Sequence, residues 1–173
     1  MKTVFVATAL TVFVLTPTLG ASQVVESLAG IHSMTVGAIT ATADQVPENL
    51  YSFRPTDDVR TLGQILGHIA DGNYSICSAA SGQDSPNSDS IEQTKTSKAD
   101  IQQALAAAFA YCQGIYETMS DATGAETTPY LGGQPFARSA ILAFNSTHYY
   151  EHYGNLVTYM RINNIVPPTS APQ

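Results

Sequence analysis

The sequence is poor in charged residues, and basic residues are especially scarce. Only 12% of its 173 residues are charged, and 7 Lys and Arg stand against 14 Asp and Glu, a formal net charge of −7. The basic residues are scattered along the chain rather than gathered in a run. A protein without a basic patch does not neutralise nucleic-acid phosphates and is only weakly attracted to an anionic membrane surface. We therefore expect this protein to bind neither nucleic acid nor an anionic membrane surface.

Cysteine is scarce as well, since Cys77 and Cys112 are the only two in the chain. No Cys-x-x-Cys motif is present, which excludes the usual patterns of thiol redox catalysis and of a zinc ribbon. In an exported protein the two could form a disulfide. Each also falls in an apolar helical stretch, where a free cysteine packs as a small hydrophobic residue. Spacing alone does not give the distance between them, so both alternatives stay open.

The most apolar run lies at the N-terminus and is short. Lys2 precedes an apolar stretch over residues 4–15, and Pro17 is followed by small residues up to Ala21. These are the parts of a secretory signal peptide, and the run is too short to span a bilayer comfortably. A buried N-terminal element is the alternative. We predict a signal peptide at residues 1–21, export to a bacterial periplasm, and a mature protein without a membrane span.

Alternating β patterns are nearly absent, whereas apolar residues at helical spacing recur in four later segments. Thr56 is the expected N-cap of the second helix, and Ser97 with Asp100 resembles a capping box at the start of the third. Long polar or proline-containing connections separate the helices. The predicted helices cover approximately residues 22–44, 57–80, 98–119 and 136–162.

This pattern predicts an all-α fold. Four amphipathic helices joined by loops of a dozen or more residues form a four-helix bundle with long connecting loops, some of which can cross the bundle. We assign residues 22–165 to the bundle and residues 166–173 to a proline-rich tail.

Three histidines carry the chemistry of this sequence. His148 and His152 lie four residues apart in the fourth predicted helix, so both project from one face within reach of a single ion. Tyr149 occupies the glutamate position of an H-E-x-x-H metalloprotease motif, so that motif is absent. His68 lies in the second predicted helix, on or beside its apolar face. Three inward imidazoles satisfy one another poorly without an ion, which predicts a divalent metal site, with Zn or Ni as the expected metal.

Two carboxylates near the triad are candidates for a catalytic role. Asp71 follows His68 by about one turn, where it could accept a hydrogen bond from a ligand or position a water. Glu151 lies between the two histidines of the fourth predicted helix. His32, the remaining histidine, is interpreted as structural or exposed rather than as a ligand.

The sequence resembles the DinB/YfiT-like superfamily of metalloenzymes over essentially the whole mature chain. The matching stretches are residues 51–56, 60–74, 144–161 and 165–170. The resemblance implies a four-helix bundle with a metal-binding histidine triad, which maps onto His68, His148 and His152. It also implies an activity among those of the superfamily, which includes thiol-dependent transferases and isomerases and metal-dependent hydrolases.

We therefore predict an exported, metal-dependent hydrolase that acts on a small-molecule substrate. The export signal argues against a thiol-dependent transferase, because the thiols used by that group are cytosolic. A non-catalytic bundle, in which the ion staples the second and fourth helices together, is a further alternative, and a plain bundle with three packed histidines is another. Homodimers are common among small bundles, although no feature of this sequence requires one.

Overall fold

The computed structural model describes residues 23–170, and within that range the chain is mostly helical. The predicted signal peptide at residues 1–21 lies outside the described residues. Single turns of 3-10 helix occur at Glu48–Leu50 and Pro168–Ser170. The other elements, in chain order, are α1 (Val24–Gln45), α2 (Leu62–Ser81), α3 (Ile91–Thr94), α4 (Lys98–Thr118), α5 (Asp121–Ala125), β1 (Thr127–Tyr130), β2 (Gln134–Ala137) and α6 (Arg138–Ile162).

The four long helices, α1, α2, α4 and α6, form the predicted bundle. Helix α2 packs against both α4 and α6, and α1 packs against the same two helices. Helices α1 and α2 therefore lie diagonally opposite, as do α4 and α6. The connections 46–61 and 119–137 each join diagonal partners, so the loops cross the bundle, as their length allowed.

The core consists of two clusters along the bundle. The larger one includes Ile39, Leu66, Ile69 and Leu156, all fully buried. The second cluster lies around a disulfide between Cys77 of α2 and Cys112 of α4, whose Cα atoms are 5.5 Å apart. That separation is typical of a disulfide. Of the two alternatives that the sequence left open, a disulfide or two free cysteines, the structure therefore has the disulfide.

The start of the second helix was predicted wrongly. Helix α2 begins at Leu62, and its N-cap is Thr61 rather than Thr56. The Thr61 hydroxyl accepts from the Gln64 amide, and the Gln64 side chain accepts from the Thr61 amide. This reciprocal pair is a capping box, which satisfies two helix-end N–H groups at once and so outcompetes a single threonine cap upstream. In contrast, the predicted cap of the third helix is confirmed: Ser97 accepts from the Asp100 amide at the start of α4.

The segments predicted as loops contain short elements of their own. The polar connection after α2 includes α3, and the connection before α6 includes α5 and an antiparallel hairpin in which Thr127 pairs with Ala137. Phe136 belongs to this hairpin, so α6 begins at Arg138 instead of residue 136. The strands are four residues long, which is too short for an alternating pattern to stand out in the sequence.

Helix α1 is the most apolar of the long helices. By length and composition it could cross a membrane, and among the described helices it is the only one of which this is true. In this structure one side of α1 faces the bundle, with His32, Thr35 and Ile39 fully buried against the other helices. The Asp121 carboxylate of α5 accepts hydrogen bonds from the amides of Val24 and Val25 and so caps the first turn of α1.

Candidate metal centre

Helices α2 and α6 bring the three predicted ligands together. His68 projects from α2, and His148 and His152 project one turn apart from α6. The Nε2 atom of His148 lies 3.3 Å from Nε2 of His68 and 3.1 Å from Nε2 of His152. One ring nitrogen from each residue lies within 4.8 Å of the other two. The convergence of these three residues, expected from the sequence, is therefore present.

The spacing of these nitrogens fits a tetrahedral metal site. Bonds of about 2.0 Å at a tetrahedral centre set two ligand nitrogens roughly 3.3 Å apart. Two of the three pairs of Nε2 atoms in this cluster are separated by 3.1 and 3.3 Å, close to that value. Three imidazoles leave the fourth tetrahedral position for water or substrate, which is the arrangement of catalytic rather than structural zinc sites.

Burial keeps the imidazoles in the neutral form that binds metal. Desolvation, with smaller contributions from the charges of His152 and His68, lowers the pKa of His148 from 6.5 to about 4. Desolvation also lowers the pKa of His152, and His68 adds to the effect. A neutral imidazole offers a lone pair to a cation, whereas a protonated one repels it. Near neutral pH, both α6 histidines therefore offer lone pairs that can coordinate a cation.

Glu92, a carboxylate that was not predicted from the sequence, orients the His68 ring. Glu92 Oε2 lies 2.9 Å from Nδ1 of His68, and Glu92 Oε1 accepts from Nε of Arg60 at 2.8 Å. Burial works to raise the pKa of Glu92, but the hydrogen bond and charge of Arg60, together with His68, bring that pKa below its ordinary value. An ionised Glu92 accepts a hydrogen bond from Nδ1–H of His68, and this tautomer leaves the lone pair on Nε2, which faces the other histidines.

Asp71 holds the backbone on which Glu92 is carried. Its carboxylate oxygens accept from the amides of Ile91, at 2.8 Å, and Glu92, at 3.0 Å, and from the Ser90 hydroxyl. Asp71 thus acts on the α3 backbone, and Glu92 is the carboxylate that contacts His68. Within residues 23–170, no hydrogen bond joins Asp71 to His68 itself.

Two glycines of α2 permit the close contacts around the site. A Cβ on Gly67 would lie 2.8 Å from the Cα of Glu92, and a Cβ on Gly72 would lie 2.7 Å from Cε1 of His148. Contacts this short do not occur for real Cβ atoms. These positions therefore let α3 and the His148 ring pack directly on the α2 backbone.

A cavity of about 470 Å³ opens beside the triad. Its wall includes His152, Glu92 and Glu151, and Arg60 lies on the same wall. Glu151 is exposed, and its charge acts on His152. The second predicted carboxylate therefore lines the space that a substrate would occupy, although its catalytic role stays a prediction.

The fourth histidine is apart from the triad. His32 is fully buried in the core, stacked on the Tyr116 ring at a centroid distance of 4.5 Å. Neither of its ring nitrogens has a hydrogen-bond partner among the described residues. Of the two interpretations offered by the sequence, structural or exposed, His32 is the structural residue.

A signal for Glu92 was present in the sequence but weak. Ile91 is the only large apolar residue in the polar stretch 83–96, and it is buried in the structure. A lone apolar residue in a polar loop indicates an anchor onto the core. It does not indicate which helix the anchor contacts, so the pairing of Glu92 with His68 was not accessible from the sequence.

Comparison with known proteins gives a family match. The sequence profile of the DinB superfamily matches residues 34–156, a range that contains all three histidines of the triad. A comparison with curated proteins found no match.

Solved structures of low sequence identity share the fold. A DinB-like protein from Bacillus cereus superposes with a TM-score of 0.73 at 16% identity, covering 83% of this chain and 95% of that one. A DinB-like protein from Bacillus subtilis gives 0.62 at 20% identity, with 83% and 93% covered. A mycothiol-dependent maleylpyruvate isomerase gives 0.63 at 12% identity, with 76% of this chain and 60% of that chain covered.

Proposed function

The chain belongs to the DinB superfamily, and we propose that it is an exported metal-dependent hydrolase that acts on a small molecule. The proposed ligands are His68, His148 and His152, with zinc or nickel as the ion. The observation that carries this proposal is the convergence of the three imidazoles at Nε2 separations that suit a tetrahedral ion. A divalent ion held in this way supplies Lewis acidity, which lowers the pKa of water and polarises a substrate carbonyl or phosphoryl group.

The protein's own residues would prepare this site for hydrolysis. Glu92 accepts a hydrogen bond from Nδ1–H of His68 and fixes the ring orientation, and Asp71 acts as a positioning residue because it holds the α3 backbone that carries Glu92. Hydrolysis also needs a group that takes a proton from the attacking water and returns it to the leaving group. We assign this task to Glu151, since it lines the same cavity as His152 and has no hydrogen bond or ion pair within residues 23–170.

Export is supported by two independent features. Residues 1–21 have the organisation of a signal peptide. The Cys77–Cys112 disulfide is of the kind that persists in the periplasm or outside the cell and is rare in the cytosol. N-terminal sequencing of the protein from a periplasmic fraction should find a chain that begins just after Gly20 or Ala21. A full-length chain in the cytosolic fraction would contradict export.

Thiol-dependent group transfer is the second candidate. The observation that favours it is the shared fold with the mycothiol-dependent maleylpyruvate isomerase. The disulfide argues for the hydrolase, because low-molecular-weight thiols are maintained in the reducing cytosol. The two candidates differ in their need for an added thiol, which a turnover assay can measure.

The proposal is tested first by metal content. The mature protein, purified without a chelator or a histidine tag, should contain close to one equivalent of zinc or nickel by plasma mass spectrometry. His148→Ala should lose it, while His32→Phe, which replaces the histidine outside the triad and keeps a ring in the core, should retain it. Absence of metal in the wild type, even after incubation with Zn²⁺ or Ni²⁺, would overturn the proposal.

Turnover then separates the candidates. The metal-loaded protein should hydrolyse members of an ester, amide and phosphoester panel without a thiol, and Glu151→Gln should lower kcat about a hundredfold, in the range of a general-base contribution. Activity that requires an added thiol would favour the transferase. Stoichiometric metal without turnover, combined with a large loss of thermal stability on chelation, would identify a non-catalytic metal-binding bundle.

A further inference from the structure

We infer that the cavity beside the triad selects a substrate that carries a cationic group, such as an ammonium or guanidinium. This inference rests on the proposed function, because it names the substrate class of the same site. Four charged groups line the cavity: three carboxylates, Asp58, Glu92 and Glu151, and one cation, Arg60.

The pairing of these groups leaves negative charge on the wall. Arg60 is in contact with Glu92, with Nε and Oε1 2.8 Å apart, so these two charges offset each other. Asp58 and Glu151 have no hydrogen bond or ion pair within residues 23–170, and both are exposed to solvent. A cleft lined with charges of one sign concentrates ligands of the opposite sign.

The exposure of the carboxylates favours a substrate that carries a positive charge. Glu151 and Asp58 are exposed to solvent, whereas His152 on the same wall has only 7% of its surface exposed. A bound divalent ion would attract an anionic ligand to the cavity. The two exposed carboxylates oppose that attraction and favour a molecule that carries a positive charge besides its polar reacting group.

The remaining wall residues provide space and partial apolar cover. Val59 and Ile65 contribute apolar surface, and Asn155 and Tyr159 contribute polar groups. The cavity volume of about 470 Å³ accommodates a small molecule rather than a polymer. We therefore expect a compact cation with an apolar segment between its charge and its reacting group.

Three probes that differ in charge test this inference. Benzyltrimethylammonium, benzyl alcohol and phenylmethanesulfonate share an aromatic ring, and the quaternary ammonium has no lone pair with which to bind a metal. Their dissociation constants are measured by NMR titration, with the amides of Asp58 and Asn155 as reporters, on both the metal-free and the zinc-loaded protein.

The ammonium should bind about tenfold more tightly than the sulfonate to the metal-free protein. This preference should shrink as the salt concentration is raised from about 0.05 to about 0.5 M, because salt screens the charges of the cavity wall. The double variant Asp58→Asn with Glu151→Gln should weaken ammonium binding about tenfold, in line with two partly solvated charges at short range. Asp84→Asn, the same change at an exposed aspartate outside the cavity, should leave it unchanged.

The outcomes separate this inference from the proposed function. If the protein binds zinc but the sulfonate binds as tightly as the ammonium, the cationic substrate class is wrong and the metal proposal stands. If no metal binds and the ammonium preference depends on Asp58 and Glu151, the metal proposal fails and the charge selectivity of the cavity stands. Equal loss of ammonium binding in Asp84→Asn would overturn the inference as well.

Discussion

At the scale of single residues, the carboxylate of Glu92 determines which nitrogen His68 presents to an ion. We expect Glu92→Gln to weaken zinc binding by about ten- to a hundredfold, the usual cost of losing a carboxylate that accepts from a ligating histidine. The amide can still accept one hydrogen bond but no longer raises the basicity of the ring. Competition with a chromophoric chelator measures the affinity.

The matched control for this change is Glu117→Gln, at an exposed glutamate in the last turn of α4, a helix that carries none of the three histidines. It removes the same charge and should leave zinc affinity unchanged. An unaltered affinity in Glu92→Gln, with the control also unaltered, would show that the contact between Glu92 and His68 has no role in metal binding.

His32 makes the stability of the protein depend on pH. Its burial lowers its pKa from 6.5 to about 4, so between these values the unfolded chain binds more protons than the folded one. Stability contributed by the neutral ring is therefore complete above pH 6.5 and is lost as the pH falls towards 4, with a total near 3 kcal/mol for a shift of this size.

Urea unfolding of the wild type and His32→Phe measures this contribution. Phenylalanine preserves the ring that stacks on Tyr116 and removes the titrating nitrogens. The difference in unfolding free energy between the two proteins should move in favour of the variant as the pH is lowered from 7 to 4.5. A difference that does not change with pH would mean that His32 is not buried as a neutral ring.

At the scale of elements, α2 is the scaffold of the site. Over one turn and a half it presents His68, the Asp71 carboxylate that caps α3, and two glycines against which α3 and the His148 ring pack. Helix α6 adds two candidate ligands from one face, and α3 brings Glu92 to His68. The chemistry therefore depends on how closely three elements approach each other.

Gly72 lies where α2 and the His148 ring are in close contact, so a substitution there tests how closely they pack. A methyl group there would lie 2.7 Å from Cε1 of His148, so we expect Gly72→Ala to displace the ring and to weaken zinc binding by at least tenfold, since a shift of a few tenths of an ångström disturbs the ligand geometry. The crystal structure of the variant and its zinc affinity together measure the effect.

Gly30→Ala provides the comparison. Gly30 lies on the exposed side of α1, and a Cβ there meets nothing within 4 Å. Alanine should stabilise the helix by up to about 1 kcal/mol and leave zinc binding unchanged. If Gly72→Ala behaves in the same way as Gly30→Ala, the His148 ring lies farther from the α2 backbone than the 2.7 Å contact implies.

At the scale of the whole molecule, the disulfide ties α2 to α4 across 35 residues of chain. A cross-link of that length limits the unfolded ensemble, and the chain-entropy model gives a stabilisation of about 4 kcal/mol. Reduction should lower the unfolding free energy by that order while the helical content stays unchanged. Urea denaturation with and without a phosphine reductant measures the difference.

The double variant Cys77→Ala with Cys112→Ala controls for effects of the reductant itself, because it has no disulfide to lose. Its unfolding free energy should be the same with and without reductant. Equal stability of the oxidised and reduced wild type would mean that the cross-link does not constrain the unfolded chain.

The helices and the triad were predictable because their signals are local. Apolar residues at helical spacing gave the four long helices, and the separation of His148 from His152 placed them on one face whatever the rest of the fold. The errors were local as well. The N-cap was assigned to Thr56, although Thr61 with Gln64 forms the stronger capping box, and the short hairpin at 127–137 has too few residues to produce a periodic pattern.

Sequence by itself determined the helical class and the identity of the three metal-ligand candidates. Only the tertiary structure decided that Cys77 meets Cys112, that Glu92 rather than Asp71 contacts His68, and that Glu151 and Asp58 share one cavity. Local periodicity depends on neighbours three and four residues away, so it can be read from the chain. A contact between residues 24 or 35 positions apart depends on how helices pack and where loops return, and that information exists only once the whole bundle has formed.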